Sequence, residues 1–283
     1  MKVAEKVYLK AARLQSRLTT ASPVLRDDQP QFEMTVVGVE DLGAGMRRVT
    51  FEAPGLTGFE CCGPDEYFGL VLPRPGGALV MPDPEPLNVR AAIADIAEDV
   101  RPDLRWYTIR AHDALAGRID VDIVTHGDSG PGSAWTVRAS VGDRAGFRAS
   151  GALYRGLDLP GRQVLVADET AVPSVAAILE ALGGPAAATA RGVEVHVEVA
   201  DPAVLGGYDL GAATVHVRRG VPGSAVVPAL DTHLARGGAP VVYAWACGET
   251  DLAAGARRAL VRHGVDRRRV YFCGYWKLGR ARG

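Results

Sequence analysis

The run Arg105-Trp106-Tyr107-Thr108-Ile109-Arg110 puts permanent cations, aromatic rings and a hydroxyl close together in a strand-like segment. An arginine guanidinium is a planar fork that suits a pyrophosphate, and a flat conjugated ring needs an aromatic or backbone wall. Strand side chains alternate, so Arg105 and Tyr107 share a face, while Thr108 points the other way or bonds through its backbone. The same residues also describe a half-buried strand whose Trp and Tyr are core. A second run, Val121–Gly127, ends in His126-Gly127 and leads into Gly130-Pro131-Gly132-Ser133-Ala134-Trp135. Pro131, Ser133 and the glycines describe a helix N-terminus whose backbone N–H groups face a ligand, a ready phosphate site. A capping turn between two strands is the other reading of that stretch.

The elements that must position these residues fall into two textures. Short β-branched runs at Phe32–Val39, Met46–Ala53, Glu66–Leu72, Arg105–His112, Arg118–Thr125 and Asp143–Ala149 follow one another without long helices. That spacing predicts a small antiparallel barrel, with a long loop over the Pro/Gly-rich Pro73–Pro86. After a linker at Gly156–Gly161 the period switches. Strands are expected at Gln163–Ala167, Val193–Val199, Thr214–Val217, Val241–Ala246 and Val270–Cys273, with helices at Glu169–Leu182, Ala225–Leu234 and Glu249–His263. This alternation implies a parallel sheet with helices on both faces, whose ligands sit at the carboxyl ends of the strands. The segments there are Asp168-Glu169-Thr170, the loop after Val199, Cys247-Gly248-Glu249 and Gly274-Tyr275-Trp276-Lys277. Asp168 and Thr170 also suit helix N-cap positions before Pro173. The expected organisation is an arm over residues 1–30, a β-barrel domain over 31–155 and an α/β domain over 162–283.

Composition narrows the function. The chain has 283 residues, long for one core, with 47% hydrophobic and 23% charged residues, which describes an ordinary globular protein. A formal charge of −1 removes the electrostatic argument for bulk nucleic-acid binding. Cysteines 61, 62, 247 and 273 have no C-x-x-C spacing and read as free thiols of a reducing compartment. There is no apolar run of the roughly 18–20 residues that a membrane span needs. No secretion signal is evident, so a cytoplasmic protein without a membrane partner is expected.

Three segments of the second half, Asp168–Ser174, Ala244–Glu249 and Arg269–Lys277, resemble signature segments of the siderophore-interacting protein family. These are ferric-siderophore reductases distantly related to ferredoxin–NADP reductases. Arg105-x-Tyr107-Thr108-x-Arg110 and His126-Gly127 through Trp135 are similar to the family's flavin segments, so the likeness runs from about Phe32 to Lys277. The resemblance implies an FAD-binding barrel, with FAD held by Arg105, Tyr107, Thr108, Arg110, His126, Gly127, Ser133, Ala134 and Trp135. It places Asp168, Glu169, Thr170, Gly248 and Glu249 on the nicotinamide side. No glycine-rich turn follows the first strand of the α/β half, and acidity at Asp168-Glu169-Thr170 would repel a pyrophosphate. NADPH, NADH and reduced ferredoxin therefore all stay open as donors.

The resemblance further implies an anionic ferric siderophore as substrate, met by Arg48, Trp276 and Lys277; for Arg280 and Arg282 a solvated basic tail is the other reading. Siderophores hold Fe(III) through hard oxygen ligands and Fe(II) far more weakly, so reduction frees the metal. The cofactor carries such chemistry, and neither a catalytic side chain nor a protein-bound metal is expected. Two alternatives remain: a general NAD(P)H-dependent flavin or ferredoxin-type reductase, and a non-enzymatic flavin- or siderophore-binding protein.

Overall fold

The computed structural model describes residues 20–26, 28–125 and 130–280. His126, Gly127, Arg282 and most of the arm expected over residues 1–30 lie outside the described residues. The chain divides into a unit of residues Leu25–Ala152 and a second that runs from Leu153 onward and includes the segment ending at Val24.

In chain order β1 (Val24–Leu25) straddles the boundary, and the first unit contains β2 (Gln31–Gly43), β3 (Met46–Glu52), β4 (Tyr67–Leu72), α1 (Val89–Ala94), β5 (Asp103–Thr108), β6 (Ala111–Asp113), β7 (Arg118–Val124), α2 (Pro131–Arg138) and β8 (Arg144–Ala152). The strands form one sheet in the order β5-β4-β8-β2-β3-β7-β6, with β1 beside β8. Neighbours in this order are antiparallel. The expected antiparallel barrel is present as a barrel-like sheet. Among the described residues pairing does not run all the way round; the two ends of the sheet, β5 and β6, are joined by the chain itself. Only Ile109 and Arg110 separate them. Ile109 donates its N–H to Glu66 O (2.8 Å) and Arg110 donates to Asp120 O (2.8 Å), so the backbone leaves β4 and takes up β7 within two residues. The single strand expected over Arg105–His112 is therefore two strands either side of a bend.

The core of this unit centres on Phe147. Its ring stacks on Phe32 (4.8 Å) and Phe68 (4.7 Å) and meets the edge of Phe59 at 5.5 Å. One residue away, Arg148 is 2% exposed. Its guanidinium donates to Gln29 Oε1 (3.0 Å), Gln31 Oε1 (3.2 Å) and the carbonyls of Pro84 (2.8 Å) and Pro86 (2.9 Å), while Gln31 Nε2 donates to Pro82 O (2.7 Å). The long Pro/Gly-rich loop is thus held through its main chain.

The second unit contains β9 (Arg162–Asp168), α3 (Val172–Ala181), α4 (Pro185–Ala190), β10 (Val193–Val199), β11 (Thr214–Val217), α5 (Val226–Ala235), β12 (Val241–Glu249), α6 (Thr250–Arg262) and β13 (Val270–Trp276). Its strands run parallel in the order β11-β10-β9-β12-β13. β9 is buried at every position from Gln163 to Asp168, which requires cover on both faces of the sheet. Val164 and Val166 share a core cluster with Leu230 of α5 and Leu260 of α6. The strand order reverses between β9 and β12, the switch point at which open α/β sheets take ligands. Within the described residues, no helix is long and apolar enough to cross a membrane.

Replacing Phe147 by Ala removes the ring on which three others pack. It should destabilise the first unit by about 3–5 kcal/mol, read as a lower denaturation midpoint.

Candidate functional site

In the first unit, β5 pairs with β4 so that Leu70 faces Arg105 and Phe68 faces Tyr107. Alternation puts Leu104 and Trp106 on the other face, where they join a small cluster with Val89 and Ile93 of α1. Arg105 and Tyr107 are left under the start of α2. The approach there is close: a Cβ on Gly132 would lie 2.4 Å from the Tyr107 hydroxyl and 3.2 Å from Arg105 Cγ. Only glycine lets the helix start come so near. The N-cap, Gly130, supplies no side-chain hydrogen bond, and Pro131 takes the first turn. The N-terminal end of α2 therefore sits over a guanidinium and a phenol. Crowding pushes the Tyr107 phenol up to about 12, desolvation outweighing the opposing pull of Arg105. Arg105 also donates to Leu104 O at 2.6 Å.

The remaining first-unit residues take varied places. Thr108 is buried at the end of β5 and Ser133 is buried in the first turn of α2. Ala134 donates its N–H to Gly130 O. Trp135 is a core residue whose ring stacks on Phe51 at 6.1 Å. Arg110 stands at the bend with Nε 3.9 Å from buried Asp122. Arg48 engages the same carboxylate as a two-pronged pair, Nε at 2.7 Å and Nη2 at 2.8 Å. Its neighbour Arg47 instead covers the end of α2, donating to Thr136 O and Val137 O.

In the second unit the expected residues converge at the carboxyl ends of β9 and β12. Asp168 has no exposed surface. Its Oδ1 accepts from Thr170 N (2.9 Å) and Thr170 Oγ1 (2.6 Å), and its Oδ2 from Glu249 N (2.6 Å) and Trp276 Nε1 (2.8 Å). Trp276 reaches it because the β12–β13 register shifts after Gly248, setting Glu249 opposite Trp276 with Tyr275 as the extra residue. Gly248 is obligatory: its φ is +137°, and a Cβ would fall 2.6 Å from the Asp168 carboxyl carbon. Glu249 caps α6, accepting from Leu252 N at 3.1 Å, and also accepts from Leu278 N at 3.1 Å. Lys277 Nζ pairs with Asp251 and lies 3.8 Å from Glu249.

Two expectations change here. The helix after β9 starts at Val172 rather than Glu169, because Asp168 draws Thr170 into a turn; the N-cap is Ala171, not Asp168 or Thr170. Glu169 is not a bare negative charge, because Arg218 grips both of its oxygens. Arg218 did not stand out in the sequence, and Gly132 did so only as one of the glycines of a helix start. Arg218 lies 49 positions from its partner, and the only hint of Gly132 was its place between Pro131 and Ser133.

Residues 35–152 match the siderophore-interacting FAD-binding domain, and residues 160–279 match the siderophore-interacting protein family. The ferric vibriobactin reductase ViuB of Vibrio cholerae is 25% identical over 240 residues, 82% of this chain and 84% of that protein. An NADPH-dependent ferric-chelate reductase of Escherichia coli (strain K12) is 32% identical over 164 residues, 56% of this chain and 59% of its own. The chain spans 59% of the length of mycobacterial relatives that it matches at 34% identity. The crystal structure of a siderophore utilization protein from T. fusca superposes with a TM-score of 0.73 at 29% identity, covering 92% of this chain and 98% of that one.

Burial raises the Asp168 carboxyl to about 6, with Glu169 adding to the rise and the Thr170, Trp276 and Glu249 hydrogen bonds opposing it. The folded state therefore holds the proton more tightly than the unfolded chain. This contribution to stability is fully present below the unfolded value of 3.8 and is lost as pH rises through about 6. Relative to an Asp168→Asn variant, unfolding free energy should fall by about 3 kcal/mol across that window, measured by denaturant titration at successive pH values.

Proposed function

The chain belongs to the siderophore-interacting protein family, and from that premise we propose that it reduces ferric siderophores, releasing iron as Fe(II), with electrons from NADPH passing through FAD. The observation that carries the FAD assignment is the cradle at Gly132, where the N-terminal end of α2 lies against Arg105 and Tyr107. A permanent cation and a helix N-terminus together suit a diphosphate. Arg105 would neutralise it, Gly132 would let it approach the first turn of α2 with Ser133 beside it, and Tyr107 would wall a flat ring. Thr108 and Arg110 would complete the site beside them, and Trp135 would support α2 from the core. When bound, FAD supplies the link between a two-electron donor and a one-electron acceptor.

For the acceptor, Trp276 and Lys277 would meet the siderophore. The Trp276 indole is fixed by its bond to Asp168, which presents a rigid aromatic surface, and the Lys277 ammonium remains 29% exposed beside Asp251. Arg48 is committed to Asp122, so its role would be to fix that carboxylate near Arg110 rather than to contact a ligand. NADPH is preferred as donor because the Escherichia coli relative is named for it. Asp168, Gly248 and Glu249 would line the donor's side from the switch point. Reduced ferredoxin is the competing donor, favoured by the missing glycine-rich turn after β9.

The test is anaerobic reduction of a ferric hydroxamate and a ferric catecholate with NADPH, NADH or reduced ferredoxin, with a ferrous chelator as readout. Fe(II) should appear fastest with NADPH; no Fe(II) under any combination from flavin-loaded protein would refute the assignment. Arg105→Ala should lower FAD retention at least tenfold. Lys277→Ala should leave FAD bound and raise the half-saturating siderophore concentration several-fold.

A further inference from the structure

Away from the switch point, four titratable side chains of the second unit meet on one face of β10. Glu194 and His196 alternate along that face with Glu198. Glu198 accepts the N–H groups of Gly223 (2.6 Å), Ala225 (2.9 Å) and Val226 (2.8 Å), which fixes the start of α5 over the strand. The last turn of α5 then carries His233 to Glu194, with His233 Nε2 3.0 Å from Glu194 Oε2. One ligand atom each from Glu194, His196 and His233 lie within 4.8 Å of one another. From β11, His216 Nε2 comes to 3.2 Å from His196 Nδ1. A cavity of about 120 Å³ is lined by these three residues together with Leu179, Pro185 and Leu210.

We propose that Glu194, His196 and His233 bind one divalent first-row transition-metal ion, with His216 and Arg162 orienting the ligands. Imidazole and carboxylate together are the donor set of such ions. Metal–ligand bonds of about 2.0–2.2 Å place neighbouring donor atoms roughly 3.3 Å apart, and the Glu194–His233 pair already has that spacing. Glu194 and His233 are each about a third exposed, so their side chains have room to draw the two edges to His196 in. His196 is 4% exposed, and burial, then the neighbouring His233 and His216, hold its imidazole down at about 4.

The orienting groups match what surrounds built metal sites. His216 engages one ring nitrogen of His196 and so fixes its tautomer and plane. Arg162 donates through Nε to Glu194 Oε1 at 2.8 Å and through Nη2 to Oε2 at 3.1 Å, and Nη2 also lies 3.0 Å from His233 Nε2. Metal binding exchanges the two Nη2 contacts for coordinate bonds and leaves the Nε–Oε1 bond to hold the carboxylate. Three protein donors leave coordination positions for water or an exogenous ligand. The set also suits Fe(II), the product of the proposed reaction; Fe(II) as occupant rests on the proposed function, whereas the site does not.

The experiment is calorimetric titration of Zn²⁺ into tag-free, full-length, flavin-loaded protein after chelator treatment, without siderophore or reductant, so its failure leaves the reductase assignment untouched. One equivalent should bind at micromolar or lower concentration. His233→Ala should weaken that binding at least tenfold, His216→Ala about 10–100-fold, and Cys61→Ser/Cys62→Ser should leave it unchanged. Circular dichroism and flavin absorbance report that each variant is folded. Wild-type protein that binds no Zn²⁺, or His233→Ala protein that binds it as tightly as wild type, overturns the site.

Discussion

Asp168 closes the central strand of the parallel sheet with a carboxylate kept out of water, and three separate segments depend on it. Thr170 turns the chain toward α3, Glu249 brings in the start of α6, and Trp276 brings in the end of β13. Each gives a hydrogen bond to an acceptor whose desolvation is costly, and the four bonds together do not fully offset that cost. The arrangement also dictates backbone elsewhere. Gly248 must adopt φ +137° to pass the carboxylate, and the register of β13 must shift for the indole to reach it.

Helix starts are treated differently in the two units, and the difference bears on where an anion goes. In the second unit the amides that open α5 are taken by Glu198, and those that open α6 by Glu249. Such ends are already satisfied by a carboxylate. α2 has a glycine at its N-cap and a proline after it, with Arg105 below. Attraction for negative charge is thus quenched by carboxylates at α5 and α6, whereas at α2 the cation Arg105 adds to it.

The parts of the fold that were legible were those fixed by local pattern. Val193–Val199 and Thr214–Val217 are β-branched runs, and the strands occupy those residues. The shared face of Arg105 and Tyr107 follows from the two-residue period alone. What could not be read depends on distant partners. The bend at Ile109-Arg110 is set by carbonyls of Glu66 and Asp120, and no local residue announces it. α1 and α4 are six residues each, too short to show a helical period. Trp135 carries no local mark that its ring belongs to the Phe51 stack, nor Glu169 that Arg218 answers its charge.

The Pro/Gly-rich loop gripped by Arg148 has a consequence for how this chain can drift in sequence. Arg148 and Gln31 hold the carbonyls of Pro82, Pro84 and Pro86, groups that survive substitution. Glu85, whose side chain these anchors do not touch, can therefore be exchanged while the path of the loop is inherited intact, whereas Asp83 helps set that path by accepting from Glu85 N at 2.9 Å. The constraint is concentrated in one buried guanidinium on β8, far along the chain, and the loop itself is left as a place where new surface chemistry can be tried without refolding.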